Sequence, residues 1–182
     1  AYHASHWKKG ELDPGFWMRA LDDTRHKDNN QAAQVAVQAL AKYPVSTLPV
    51  GWLLDALTKP YGQMIGYWLQ NADALPGLDV ERVKGLVFNA SYRHVALAVL
   101  GNTRLVKPRE LGLPWLLALA RRADPSLNQF AHRYLLEHMK PADFAAESPE
   151  ATGAEEAGVK RLFALATGEK EPESVRAFAQ TY

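Results

Sequence analysis

The chain has 182 residues, of which 47% are apolar and 23% are charged, and its formal net charge at pH 7 is +1. This apolar content suffices for a continuous hydrophobic core, and no run of about 18 apolar residues could span a membrane. Cysteine is absent, which excludes disulfides and thiolate metal sites, and without a visible secretory signal the sequence predicts a cytoplasmic protein.

Five apolar stripes with helical spacing recur along the chain. They begin at Ala32, Tyr61, Tyr92, Leu127 and Val175, and each continues at positions i+3, i+4 and i+7. The intervals between these starts are 29, 31, 35 and 48 residues. Self-similarity at a period of roughly 30 to 45 residues is typical of stacked helical repeats.

A second apolar segment precedes each stripe, which predicts five helical hairpins. These segments span 16–21, 51–57, 83–88, 115–120 and 159–165. The predicted repeat units cover roughly 15–42, 50–72, 80–102, 112–140 and 155–182 of one domain that spans 1–182. Strand-like alternation and short hairpin-turn dipeptides are both absent from the sequence, so an all-α fold is predicted.

Two segments, Ala123–Ser126 and Pro172–Ala179, resemble the turn and the start of the second helix in HEAT-like repeats. In both segments, a turn that contains Asp or Pro precedes the apolar run. This resemblance implies a right-handed alpha-alpha superhelix of about five stacked hairpins. It also implies a scaffold in which the second helix of each hairpin lines the concave surface, and it implies no reaction.

Two regions depart from the repeat. Residues 141–160 are rich in Ala, Glu, Pro and Gly, which predicts an acidic, mobile loop over 141–158. The last apolar stripe ends at Tyr182, although stacked repeats usually need a polar terminal cap. We therefore expect end-to-end self-association through this repeat, or a fragment of a longer bacterial multidomain protein.

Positive charge is concentrated in the middle of the sequence. Residues 82–140 carry 10 basic and 3 acidic side chains, a net charge of +7, whereas residues 1–81 and 141–182 are net acidic. Such a segment is typical either of a solvated helical surface or of a nucleic-acid footprint. The candidate phosphate-binding residues are Arg104, Lys107, Arg109, Arg121 and Arg122.

Catalytic patterns are not found in the sequence. It has no Gly-rich phosphate loop, no G-x-S-x-G elbow and no H-E-x-x-H motif, which favours a non-enzyme with no metal and no cofactor. The spacing of Gly62 and Gly66 predicts a close helix contact, while Trp52, Trp68 and Trp115 are predicted core residues. The candidate partner-binding residues flank the buried stripes and are Gln63, Tyr67, Arg93, Asn128, His132 and Arg133.

Three functional interpretations follow. The first is a non-enzymatic scaffold that binds a protein or peptide on its second helices. The second is a DNA-binding protein that uses the basic repeats 82–140 and is similar, in its extreme form, to the HEAT-like alkylpurine DNA glycosylases. The third is a structural or regulatory fragment of a larger bacterial protein, with its chemistry on another part.

Overall fold

The computed structural model describes residues 13–23, 30–145 and 151–182. These residues form helices and turns and no β-strand, which confirms the all-α prediction. Contacts between Cα atoms divide the chain into two compact units, Ala1–Val106 and Lys107–Tyr182. The arrangement of all five hairpins in one right-handed superhelix, in a single domain, stays a prediction.

The first unit contains three packed helix pairs within its described residues. Its helices are α1 (Pro14–Asp22), α2 (Asn30–Leu40), α3 (Val50–Ala56), α4 (Gly62–Gln70), α5 (Val80–Leu86) and α6 (Arg93–Leu100). Helix α1 packs against α2, α3 against α4 and α5 against α6. Helix α4 also contacts both α2 and α6, so the second helices of the three pairs form one layer with α4 in the middle.

The second unit is built in the same way around two pairs. Its helices are α7 (Pro108–Leu111), α8 (Leu113–Ala120), α9 (Pro125–His138), α10 (Ala154–Thr167) and α11 (Glu173–Ala179). Helix α8 packs against α9 and α10 against α11, and α11 also contacts α8 and α9. The Asp124 carboxylate accepts hydrogen bonds from the backbone N–H groups of Ser126 and Leu127, and this cap fixes the start of α9.

The predicted apolar stripes form the cores of the two units. In α4, Tyr61 (just before the helix), Ile65 and Leu69 are buried, and in α6 the equivalent stripe is also buried. Burial of each such aliphatic side chain stabilises the fold by roughly 1.5–3 kcal/mol. Helix positions therefore follow from apolar spacing. The buried residues of the longest stripe, in α9, are Leu127, Phe130, Ala131, Tyr134 and Leu135.

The predicted close contact at Gly62 and Gly66 is confirmed. An ideal Cβ at Gly66 would lie 2.2 Å from Val95 Cγ1, and one at Gly62 would lie 2.2 Å from the Leu57 carbonyl oxygen. Any larger residue would force these atoms apart. The two glycines therefore allow α4 to approach α6 on one side and the preceding turn on the other.

The predicted loop over 141–158 is wrong at both of its ends. Pro141–Phe144 forms a 3-10 turn whose Phe144 side chain is fully buried, and α10 begins at Ala154. At Gly158 an ideal Cβ would lie 1.7 Å from the Pro141 carbonyl oxygen, so the absence of a side chain lets α10 pack directly on this turn. The composition of the segment did not indicate this contact. The contact depends on only two residues, Phe144 and Gly158, in a segment that is rich in Ala and Glu. Residues 146–150 lie outside the described residues.

The prediction that three tryptophans are core residues is only partly met. Trp52, Trp68 and Trp115 are each half-buried. The indole Nε1 of Trp52 donates a hydrogen bond to the Asp22 carboxylate at 2.9 Å. A tryptophan at the edge of a core buries its ring while its N–H reaches a polar partner.

Tyr182, the last residue of the fifth stripe, packs within the second unit. Its ring contacts Phe144 and Phe178 edge-on, and its hydroxyl lies 2.7 Å from the Leu135 carbonyl oxygen and 3.0 Å from that of Met139. Tyr182 as a whole residue is 40% exposed. Self-association through this repeat stays a prediction. Among the helices of the described ranges, none is both long enough and apolar enough to cross a membrane.

Candidate interaction groove

A groove of about 990 Å³ lies on the layer that α2, α4 and α6 form in the first unit. Its apolar floor includes Val37 from α2, Met64 and Trp68 from α4, and Val95 and Ala98 from α6. All three helices therefore contribute to one continuous apolar surface.

Polar side chains also line the groove, and most of them are amides. Gln34 and Gln38 project from α2, Gln63 and Gln70 from α4, and Asn71 follows α4 directly. The pairs are four or seven residues apart, which places each pair on one exposed side of its helix. We call this groove the amide groove.

The four glutamines of the amide groove have unused hydrogen-bonding capacity. Within the part of the chain that the structure describes, their side chains make no hydrogen bond to the protein, and all four residues are exposed. Each amide can donate two hydrogen bonds and accept others. Asn71 differs, because its Nδ2 donates to the Tyr67 carbonyl oxygen at 2.8 Å. Among the described residues, nothing occupies the amide groups of the four glutamines, so they can bind another molecule.

Tyr67 is the most exposed large apolar residue of the described chain, at 73% exposure. It lies on α4 four residues after Gln63, in the middle helix of the layer. Exposed aromatic rings next to an apolar floor are typical anchor residues of protein interfaces. Tyr67 and the half-buried Trp68 therefore give the groove two aromatic contacts.

The amide groove carries little charge. Its described lining contains no Asp, Glu, Lys or Arg, and His94 is its only basic side chain. A phosphate backbone or a strongly charged peptide would find no ion-pair partner there.

The structure brings together two of the six predicted partner-binding residues, Gln63 and Tyr67, in this groove. Arg93 and Asn128 are instead anchored to backbone: Arg93 Nε donates to the Val87 carbonyl oxygen at 2.9 Å, and Asn128 Nδ2 donates to that of Ala120 at 2.6 Å. Both side chains support the turn that precedes their helix. Asn128 and the two remaining residues, His132 and Arg133, belong to the second unit.

His132 is a packed residue of the second unit rather than a rim residue. Its ring stacks on Phe178 with centroids 5.5 Å apart, and its Nε2 is buried with no hydrogen-bond partner among the described residues. Burial lowers the pKa of His132, because a buried imidazolium would lose its hydration. Arg133, one residue later, is exposed.

Sequence reasoning missed the glutamines of α2, the floor residue Met64, and His94. The signal for Gln34 and Gln38 was present, since they lie four residues apart on the side opposite the buried Ala36 and Leu40. The predicted stacking of the hairpins already implies that α2 and α6 lie on either side of α4, but the candidate partner-binding residues included none from α2.

The predicted phosphate-binding residues are divided between the two units. Arg104 belongs to the first unit and forms an ion pair with Asp73, whereas Arg121 in the second unit binds Glu171 through two hydrogen bonds of 2.8 and 2.7 Å. These hydrogen bonds lower the pKa of Glu171. Arg104 and Arg121 are thus already paired with carboxylates. Lys107, Arg109 and Arg122 are exposed, and their role in phosphate binding stays a prediction.

A smaller cavity of about 330 Å³ lies between α1, α2 and α3 and is lined by Asp22, Asp55 and Tyr61. The Asp22 carboxylate accepts hydrogen bonds from the Trp52 indole and from the Tyr61 hydroxyl, each at 2.9 Å. Burial, together with this hydrogen bond, holds the pKa of Tyr61 well above its ordinary value. Asp55 pairs with Arg82. These carboxylates hold helices together, and no metal-binding group of three His, Cys, Asp or Glu occurs among the described residues.

Comparison with protein-family models, with curated proteins and with solved structures found no match to this chain. The chain is therefore described by its structure alone. Its described residues form an all-α protein of packed helix pairs, with an exposed groove on the second helices that contains no Asp, Glu, Lys or Arg.

Proposed function

We propose that this protein is a non-enzymatic interaction scaffold that binds a protein or peptide in the amide groove. The observation that carries the proposal is the surface formed by α2, α4 and α6, in which an apolar floor is exposed beside four glutamines whose side chains have no hydrogen-bond partner among the described residues. Exposed apolar surface with a polar rim is characteristic of interaction sites.

The expected energetics are those of a peptide groove. Tyr67 and Trp68 are the aromatic anchors, and interface tyrosines and tryptophans commonly account for most of the binding energy. Because Tyr67 is 73% exposed, truncating it removes a ligand contact and little of the fold. Binding and folding can therefore be separated experimentally.

The proposal is tested by selecting peptides from a random dodecamer display library on the immobilised protein. We expect peptides with micromolar affinity to be enriched. In Tyr67→Ala these peptides should bind at least about tenfold more weakly, the effect of losing an interface anchor. The matched control is Phe163→Ala, since Phe163 is a similarly exposed aromatic at 69% and lies on α10 of the second unit.

Two results would contradict the proposal. One is that no peptide is enriched over a blank surface. The other is that Phe163→Ala weakens binding as much as Tyr67→Ala, which would place the binding surface outside the amide groove. Thermal unfolding of both variants should match that of the wild type. A loss of binding would then not be caused by a loss of the fold.

The alternative function is DNA binding through the basic segment 82–140, which is favoured by its net charge of +7. A labelled duplex should then bind tightly at 50 mM salt and lose orders of magnitude in affinity by about 200 mM, because bound phosphates release counterions. The variants Lys107→Ala and Arg109→Ala should weaken it. Duplex binding with that salt dependence, without peptide enrichment, would replace the scaffold proposal.

A further inference from the structure

We propose that the amide groove binds an extended, uncharged peptide segment of about six residues, which crosses α2, α4 and α6 and hydrogen-bonds through its main chain to the glutamine side chains. This inference rests on the proposed function and adds the chemical class and the conformation of the partner. It follows from the charge of the lining, from the unpaired amides and from the dimensions of the three-helix layer.

The charge of the lining selects an uncharged partner. The described lining has no Asp, Glu, Lys or Arg, so a charged ligand side chain would lose hydration on entry and gain no counter-ion. Nucleic acid is disfavoured for the same reason. The partner segment that fits this surface is neutral and offers apolar side chains to Met64, Trp68 and Val95.

The glutamines favour a ligand whose main-chain N–H and C=O groups are available for hydrogen bonds. A carboxamide and a peptide group each offer a donor and an acceptor, so one glutamine of α2 and one of α4 can each complement a peptide unit of a ligand that crosses both helices. An α-helical ligand has already paired its main-chain groups internally and would leave these amides unused. Gln34 and Gln38 on α2, with Gln63 and Gln70 on α4, therefore indicate an extended ligand.

The dimensions of the groove indicate the direction in which the ligand lies across it. Along α4 the lining runs from Gln63 to Asn71, which is about 12 Å at the helical rise of 1.5 Å per residue. Across the layer, three neighbouring helices at 8–10 Å spacing extend over roughly 16–20 Å. An extended chain of about 3.3 Å per residue fills that longer dimension with five or six residues.

The apolar floor predicts the positions of apolar residues in the ligand sequence. In an extended segment alternate side chains point to the same side, so every second ligand residue should contact the apolar floor. Met64 is half-buried in that floor, and a methionine adapts to ligand side chains of different shape. We expect a core of about six uncharged residues with apolar side chains at every second position.

The first test uses a synthetic dodecamer chosen from the display selection and measures its dissociation constant at 50 and 500 mM NaCl. We expect less than a twofold change, because no phosphates or charged side chains are neutralised. Enriched peptides that are rich in Lys, Arg, Asp or Glu and lose more than about tenfold in affinity at high salt would overturn this inference. The proposed function would stand in that case.

The second test replaces single main-chain N–H groups of the dodecamer with ester oxygens. Each ester at a bound position should weaken binding about three- to tenfold, as expected for the loss of one hydrogen bond. At one position this effect should disappear in Gln63→Ala and persist in Gln129→Ala, an exposed glutamine of α9 in the second unit.

The outcomes separate the two claims. Esters without effect, together with apolar residues at spacings of three and four in the enriched peptides, would indicate a helical ligand and overturn the inference while the scaffold function stands. No enriched peptide at all would overturn both. A salt-insensitive, alternating, ester-sensitive ligand whose ester effect depends on Gln63 is the result that the structure predicts.

Discussion

Val95 and Gly66 are in such close contact that no side chain fits between them. An ideal Cβ at residue 66 would lie 2.2 Å from Val95 Cγ1 and 3.2 Å from Val95 Cβ. This contact joins α4 to α6 at the floor of the amide groove, since both residues belong to its lining. The groove therefore depends on a glycine in the middle of a helix.

The first prediction concerns this contact. Gly66→Ala should lower the free energy of unfolding by about 1–3 kcal/mol, because the added methyl group overpacks the α4–α6 contact. Gly85→Ala is the control, as a Cβ there meets open space in α5, and it should raise stability by up to about 1 kcal/mol through helix propensity. Urea unfolding measures both. Equal effects of the two changes would mean that Gly66 is not a packing position.

The second prediction concerns Asn102, a buried polar residue. Its Nδ2 donates hydrogen bonds to the carbonyl oxygens of Leu69, at 3.1 Å, and Ala72, at 2.8 Å, which closes the end of α4. Asn102→Ala should cost about 1–3 kcal/mol, because buried carbonyls lose their donor.

Asn71→Ala is the matched control for Asn102→Ala. Asn71 also donates to a helical carbonyl oxygen, that of Tyr67, but it does so at the exposed surface, where water can replace it. Its cost should stay below about 1 kcal/mol. A control effect as large as that of Asn102→Ala in urea unfolding would show that burial does not decide the cost.

The third prediction compares two tyrosines that differ in hydrogen bonding. The Tyr61 hydroxyl donates to Asp22 at 2.9 Å, whereas the Tyr134 hydroxyl is buried with no partner among the described residues. Tyr61→Phe should lower the free energy of unfolding by about 1–2 kcal/mol. Tyr134→Phe should be neutral or slightly stabilising, because it removes an unsatisfied polar atom. Thermal unfolding of both variants is the measurement, and equal destabilisation would contradict this difference.

Alkaline pH gives a related fourth prediction. Burial raises the pKa of Tyr134 to about 12, with a contribution from the charge of Glu110, so the folded state keeps a proton that the unfolded state releases near pH 10. The contribution of Tyr134 is fully present below pH 10 and is lost as pH rises towards 12. Tyr134→Phe should therefore lose less stability than the wild type between those pH values. Identical alkaline unfolding curves would contradict the assignment.

The fifth prediction concerns acid pH and His132. Burial lowers its pKa, so the folded state favours the neutral ring and the unfolded state binds the proton first as pH falls below about 6.5. Stability should therefore fall with pH below that point and level off below the folded-state pKa. His132→Phe, which keeps an aromatic ring on Phe178, should remove that part of the pH dependence. An unchanged acid profile in the variant would assign the effect to other groups.

The sequence predicted the features of this fold that depend on local spacing. Helix positions follow from the apolar stripes, and the close contact of α4 follows from Gly62 and Gly66. Of the six predicted partner-binding residues, the structure brings Gln63 and Tyr67 together because they lie about one turn apart on the same surface of α4; their role in binding stays a prediction.

Features that depend on residues far apart in the chain were not predictable in this way. The Asp22 carboxylate accepts hydrogen bonds from Trp52 and Tyr61, which follow it in the sequence by 30 and 39 residues. The α2 glutamines join the groove because of the order of the helices in the layer, which spacing within one helix does not determine. The packing of α10 on the Pro141–Phe144 turn depends on one buried ring and one glycine in a segment of loop-like composition.

The most direct test of the amide groove uses the absence of cysteine, which allows a fluorophore to be attached at one position. Gln63→Cys and, as a control, Gln129→Cys would each carry an environment-sensitive dye and be titrated with the selected dodecamer. We predict a saturable emission change at position 63 with a 1:1 end point and no change at position 129. A change at position 129, with none at position 63, would contradict binding in the amide groove.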